Sequence, residues 1–232
     1  MNIDYQAARV RMVDNQIRPT DVTSYPVIDA FLAVPREEFV PARFKPLAYI
    51  DNDIEIAPAT AGVRTRYLME PSPLAKLVQL AAIEPEDVVL DIGCGTGYTS
   101  AVLSRLASSV VALESDETLA AAASETLTRL GYDNVAVVTG PLADGCKAEA
   151  PFDVIFFGGS VEVVPDALFD QLRDGGRLVV VEGYGNASRA KLYVREEGAT
   201  GPRAAFNTSV KPLPGFEKPE TFVFEKPERL DF

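Results

Sequence analysis

The segment Asp91-Ile92-Gly93-Cys94-Gly95-Thr96-Gly97 sets a carboxylate and alternating glycines directly after a short apolar, β-branched run, Val88 to Ile92. Glycines let the chain turn tightly and let a ligand approach the backbone closely. A helix follows at once, so its first N–H groups face the same crevice. Glu114 ends the next apolar run, 23 residues after Asp91. An acidic side chain near that offset accepts ribose hydroxyls.

The spacing argues against several ligands. A dinucleotide fingerprint needs glycine where Tyr98 stands, and no Lys-Ser/Thr pair follows the glycines as in a phosphate-binding loop. Asp91 would repel a pyrophosphate but suits an ammonium and a sulfonium. The reading is S-adenosyl-L-methionine as cofactor, with Asp91, Gly93, Gly95, Gly97 and Glu114 in its site. Each feature alone has a plain alternative: a turn, a helix cap, a solvated strand end. Together in one βαβ unit they point to a bound nucleoside.

Composition narrows the chemistry further. The 232 residues contain no histidine, which removes Ser-His-Asp and Cys-His catalysis. The two cysteines, Cys94 and Cys146, form no CxxC pair and no metal-ligand spacing, so they read as reduced structural thiols and no metal site is expected. A net charge of −12 opposes binding to nucleic acid. The fourth strand ends at Phe156-Phe157-Gly158-Gly159-Ser160, without the Asn/Asp-Pro-Pro-Tyr/Phe of amino-methyltransferases that act on bases. No membrane span or signal core is visible, so a cytoplasmic location is expected.

The elements that must position these residues follow from periodicity. Helices are predicted over Tyr5 to Gln16 and Val22 to Leu32, the second capped by Asp21. A Pro-punctuated arm with short extended pieces leads to a helix opened by Pro71 and Pro73. Strands are predicted at 88–92, 109–113, 135–139, 152–157 and 177–181, with weaker ones at 191–195 and 205–210. Helices are predicted at 99–106, 116–130 and 165–172. The alternation implies an α/β fold: a Rossmann-like, doubly wound, mostly parallel sheet, with its ligand beyond the carboxyl ends of the strands. Residues 1–72 read as a helical and irregular extension packed on the core, and 73–232 as the cofactor-binding domain. The Pro- and Gly-rich run Lys211 to Pro219 reads as a loop over the crevice.

Further residues resemble a known family. Met12-Val13, Gln16-Ile17-Arg18, Val34-Pro35-Arg36-Glu37 and Phe39-Val40-Pro41 resemble the N-terminal signature of protein-L-isoaspartate O-methyltransferases. Tyr49, Asp51, the glycine loop, Leu130-Gly131, Asn134-Val135, Pro151-Phe152-Asp153, Gln171-Leu172 and Gly175-Gly176-Arg177-Leu178-Val179 continue the likeness. It runs from about residue 5 to about 185. It implies a class I methyltransferase that moves a methyl group to the α-carboxyl of an isoaspartyl residue in damaged protein. A protein or peptide carboxylate is then the partner.

Two departures stand out. The family's Gly-Gln-Thr-Ile-Ser-Gln-Pro is here Thr65-Arg66-Tyr67-Leu68-Met69-Glu70-Pro71, so Met69 replaces a hydroxyl. The family's Gly-Asp-Gly becomes Gly140-Pro141-Leu142. The Leu142 N–H remains to serve an adenine ring nitrogen beside Gly140, while Pro141 has none. Arg64 and Arg66 are candidates to grip a carboxylate bidentately, and Tyr67 to donate a hydroxyl; a solvated loop with ordinary surface arginines is the alternative. No catalytic side chain is assigned. A different acceptor such as a small acid, or cofactor binding without catalysis, stays open, as does the oligomeric state.

Overall fold

A computed structural model of the chain describes residues 3–60, 64–183 and 185–218. The chain starts with α1 (Tyr5–Met12), a π-helical turn over Val13–Ile17 and α2 (Tyr25–Ala33). A hairpin of β1 (Ile54–Ala57) and β2 (Arg66–Leu68) precedes α3 (Pro71–Ala81). Then follow β3 (Val88–Ile92), α4 (Tyr98–Ser104), β4 (Ser109–Glu114), α5 (Glu117–Arg129) and β5 (Val135–Thr139). The chain closes with β6 (Phe152–Val161), α6 (Asp166–Phe169), β7 (Leu172–Glu182), β8 (Arg189–Glu196) and β9 (Ala199–Asn207).

One seven-stranded sheet has the order β5-β4-β3-β6-β7-β8-β9. The strands from β5 to β7 are parallel, and β8 and β9 are antiparallel to their neighbours. The chain winds outward from β3 to β5, then returns to place β6 on the other side of β3. That reversal makes the switch point where α/β sheets bind ligands. Successive residues of β3 feed opposite faces, as strand geometry requires. Val89 joins the core under α3, α4 and α5, whereas Leu90 and Ile92 join the core with Leu168, Leu213 and Phe216.

The N-terminal segment shares the first of these cores. Val13, Ile17, Phe31, Val34 and Phe39 are buried in one cluster with Tyr98, Ala101 and Val102 of α4. Its centre is a charged residue. Arg36 is wholly inaccessible, and its Nε and Nη2 donate to the carbonyls of Ala48 (2.8 Å) and Met69 (2.7 Å). Its guanidinium lies 4.7 Å from the Tyr98 ring centroid. Arg36→Ala should cost about 2–3 kcal/mol, measured by urea unfolding, because two buried carbonyls lose a charged donor.

Differences from the predicted elements have local causes. Asp21 does not cap the second helix. It takes a left-handed conformation (φ 65°) after the short turn Arg18–Thr20, and α2 starts at Tyr25 behind Ser24, with Pro26 in its first turn. The expected strand near 205–210 is β9, shifted toward the N-terminus. The two-residue turn Glu197-Gly198, both at positive φ, folds β9 straight back on β8. β9 is almost entirely exposed, so no buried face marks it in the sequence. Helix α6 is only Asp166–Phe169, because β7 begins already at Leu172.

Candidate functional site

The glycine loop sits at the carboxyl end of β3. The amides of Gly93 and Cys94 donate to the carbonyl of Leu113 (2.9 and 3.2 Å), which pins the loop to β4. Gly93 and Gly95 have φ of +79° and +58°, a region that L side chains rarely adopt. The space beside them is taken. A Cβ at Gly93 would lie 2.5 Å from Leu213 Cδ2, and one at Gly95 would lie 2.7 Å from Ile56 Cδ1. Gly97 (φ +93°) is the N-cap of α4. Thr96 Oγ1 donates to the Phe39 carbonyl (2.6 Å), tying the loop to the N-terminal segment.

Asp91 is fully buried on β3. Its Oδ2 accepts from Ser100 Oγ of α4 (2.6 Å), and its Oδ1 has no hydrogen-bond partner among the described residues. Burial pushes its carboxyl up to about 7, the nearby Glu114 charge adds to this, and the Ser100 hydroxyl opposes it. A buried carboxylate with an unused oxygen is costly without a cationic partner. A ligand carrying an ammonium supplies one.

Glu114 is also inaccessible, and both of its oxygens are engaged. Oε1 accepts from Arg66 Nη1 (2.6 Å) and the amides of Ser115 (2.8 Å) and Asp116 (3.1 Å). Oε2 accepts from Arg66 Nη2 (2.8 Å) and the Gly95 amide (2.8 Å). Burial acts to raise this carboxyl, but the Arg66 hydrogen bonds and charge overcome it and hold it below the ordinary value. Arg66 therefore does grip a carboxylate bidentately, but the carboxylate belongs to its own chain. Only 4% exposed, it is no surface arginine.

The remaining candidates spread around this centre. The Gly140 amide donates to the Glu114 backbone carbonyl (3.0 Å), and the Leu142 side chain is buried in the second core. Met69 is buried with its carbonyl on Arg36. Arg64 pairs with Glu217 at 3.7 Å. Lys211 Nζ stands 5.3 Å from the Tyr67 ring centroid and 3.9 Å from Asp53 Oδ2. Sequence reading did not single out Ser100, Ile56 or Leu213. Ser100 had a signal, since the first turn of a helix after a glycine loop lies over the end of its strand. Leu213 lies in the run Lys211 to Pro219 expected over the crevice, of which Pro219 is outside the described residues, and it packs on Gly93. Ile56 had no such signal. Among the described residues no group of His, Cys, Asp or Glu could hold a metal, and no helix is long and apolar enough to cross a membrane.

A Rossmann-like sheet with buried acids closing adjacent strands around a glycine loop defines the protein as an α/β methyltransferase. Residues 7–210 match the family described as Protein-L-isoaspartate(D-aspartate) O-methyltransferase, and the chain belongs to it. It is 41% identical over 175 residues to a protein-L-isoaspartate O-methyltransferase of Koribacter versatilis (strain Ellin345), covering 75% of this chain and 76% of that one. The relative from Roseiflexus castenholzii (strain DSM 13941 / HLO8), with the same name, is 36% identical over 198 residues, covering 85% and 87%. A solved protein-L-isoaspartate O-methyltransferase superposes with a TM-score of 0.76 at 28% identity, and the match spans 89% of this chain and 66% of that one. A Plasmodium falciparum β-aspartate methyltransferase structure in complex with S-adenosyl-L-homocysteine shares the fold, at TM-score 0.71 and 19% identity over 90% of this chain and 99% of that one. The family's methyl donor is S-adenosylmethionine.

Proposed function

We propose that the chain methylates a carboxylate of damaged protein, the α-carboxyl of an isoaspartyl residue, in the cytoplasm. The observation that carries the cofactor side is the unpartnered Asp91 Oδ1 at the carboxyl end of β3, beside the glycine loop. Asp91 would face the ammonium of the donor's amino-acid end. The glycine loop would pass beneath that end, Glu114 would take the ribose, and Gly140 with Leu142 would border the adenine.

When bound, the donor supplies an electrophilic methyl group: the acceptor oxygen bonds to it as the sulfur–carbon bond breaks, leaving a methyl ester and a neutral thioether. A carboxylate is already a nucleophile at neutral pH, so the absence of histidine is no obstacle. The protein's part is orientation and exclusion of water. Leu213 and Phe216 of the C-terminal segment are buried in the second core, Leu213 against Gly93 and Phe216 against Phe157, and would help to keep water from that side of the loop.

Tritiated S-adenosylmethionine offered with an isoaspartyl peptide and its aspartyl twin tests the acceptor. Label is expected in the isoaspartyl peptide alone. Equal or no labelling of the pair, with donor bound, assigns Met69 to a site rebuilt for another acceptor.

A further inference from the structure

The ribose-accepting carboxylate already has an occupant. A carboxylate offers about four acceptor sites. Glu114 already has more donors than that: two guanidinium N–H groups, the amides of Gly95, Ser115 and Asp116, and the Ser115 hydroxyl at 3.3 Å. The amides are fixed by the ends of β3, β4 and α5. The guanidinium hangs on a flexible stem, and among the described residues its other hydrogen bond is a long one to the Gly93 carbonyl, 3.4 Å. Two ribose hydroxyls can reach Glu114 only if Arg66 leaves.

Arg66 belongs to an element that covers the same crevice twice. β1 and β2 form their own two-stranded sheet, unbonded to the seven-stranded one, with Arg66 opposite Ala57. Ile56 of β1 rests on Gly95, the loop's middle glycine. The groove that adjoins this point, between Phe39, Val40, Ile56, Thr96, Leu119 and Ala122, has a volume of about 250 Å³. Ile56 thus both lines this groove and covers the loop's middle glycine.

Resting on the cofactor reading above, we propose that Arg66 is an internal competitor for the ribose at Glu114, carried on a hairpin lid that donor entry must displace. The ion pair stabilises the closed form and lowers apparent affinity by the fraction of molecules that are open. Arg66 is thus a positioning residue that tunes cofactor affinity, without contact to the reacting atoms.

Calorimetry with S-adenosylhomocysteine on the wild type, Arg66→Ala and Arg66→Lys tests this. Removal of two charged hydrogen bonds that must otherwise be broken should lower Kd by about tenfold or more in Arg66→Ala. Arg66→Lys, which keeps a point charge but not the fork, should fall between. An Arg66→Ala Kd equal to or weaker than wild type overturns the lid while the cofactor reading stands. No binding by any of the three removes the cofactor reading and the lid with it. Should Arg66→Ala not fold, ¹⁵N-arginine NMR of the wild type decides. The restricted Arg66 guanidinium signal should become freely rotating at saturating S-adenosylhomocysteine, and its persistence overturns the proposal.

Discussion

Glu114→Ala lowers the stability of the ligand-free protein by about 3–5 kcal/mol, a fall in melting temperature on the order of 10 °C for a chain of this size. Glu114 is the common acceptor for the Gly95, Ser115 and Asp116 amides, so its loss unties the glycine loop from β4 and from the start of α5 at once. The buried Gly95 amide then lacks a charged partner, worth about 1–3 kcal/mol, the part-buried Ser115 and Asp116 amides lose theirs, and the buried Arg66 guanidinium is left unpaired. Arg66→Ala is expected to cost much less, because Glu114 keeps those amides. Thermal and urea unfolding of the two variants should show this asymmetry. A loss below about 1 kcal/mol in Glu114→Ala would mean that the network does not form in solution.

Asp91→Asn should move stability and binding in opposite directions. The carboxyl is raised from 3.8 to about 7, chiefly by burial. At pH below 3.8 it is protonated whether folded or not, and costs nothing. Between 3.8 and about 7 the unfolded chain ionises while the folded one does not, so stability falls as pH rises. Above about 7 the full penalty applies, on the order of 4 kcal/mol at 1.36 kcal/mol per unit. Asparagine escapes that penalty, so the variant should melt higher than wild type at pH 8 and level with it near pH 4. It should also lose about 10–100-fold in affinity for S-adenosylhomocysteine, since the ammonium meets an amide in place of a charge. Melting curves from pH 4 to 8, with and without ligand, separate the effects. Equal wild-type and variant melting at pH 8 would show that Asp91 carries no burial penalty.

The two experiments read different halves of one crevice. One oxygen of Asp91, Oδ1, lacks a partner among the described residues and is expected to gain one from the ligand. Glu114 has a partner and is expected to exchange it. A donor that satisfies the first and competes at the second gives tight binding only when the lid energy is modest. The Arg66→Ala calorimetry measures that energy.

Much of the site was legible in the chain's own order. Apolar β-branched runs of five residues, glycines after the first run and an acid closing the second are local patterns. Short-range sterics and burial turn them into β3, the loop and β4 whatever the distant residues do. The same holds for Asp116, which caps α5 by accepting from the Thr118 and Leu119 amides, and for Pro71 in the first turn of α3. Less legible was β9, whose exposed residues alternate with no buried face. Asp21 had the right type for a cap but sat in the wrong backbone conformation.

The sequence by itself thus determined the α/β architecture, the family and the glycine loop at the end of β3, because each rests on contacts within a βαβ unit or on a long run of matched residues. Only the tertiary structure decided that Arg66 meets Glu114, that Ile56 and Leu213 lie on the glycine loop, and that Asp91 keeps an unused oxygen. Arg66 and Glu114 are 48 positions apart, and no periodicity links them. A side chain's partner across the fold is set by where whole elements pack, and a guanidinium reads the same in sequence whether it faces water, a substrate or its own chain's carboxylate.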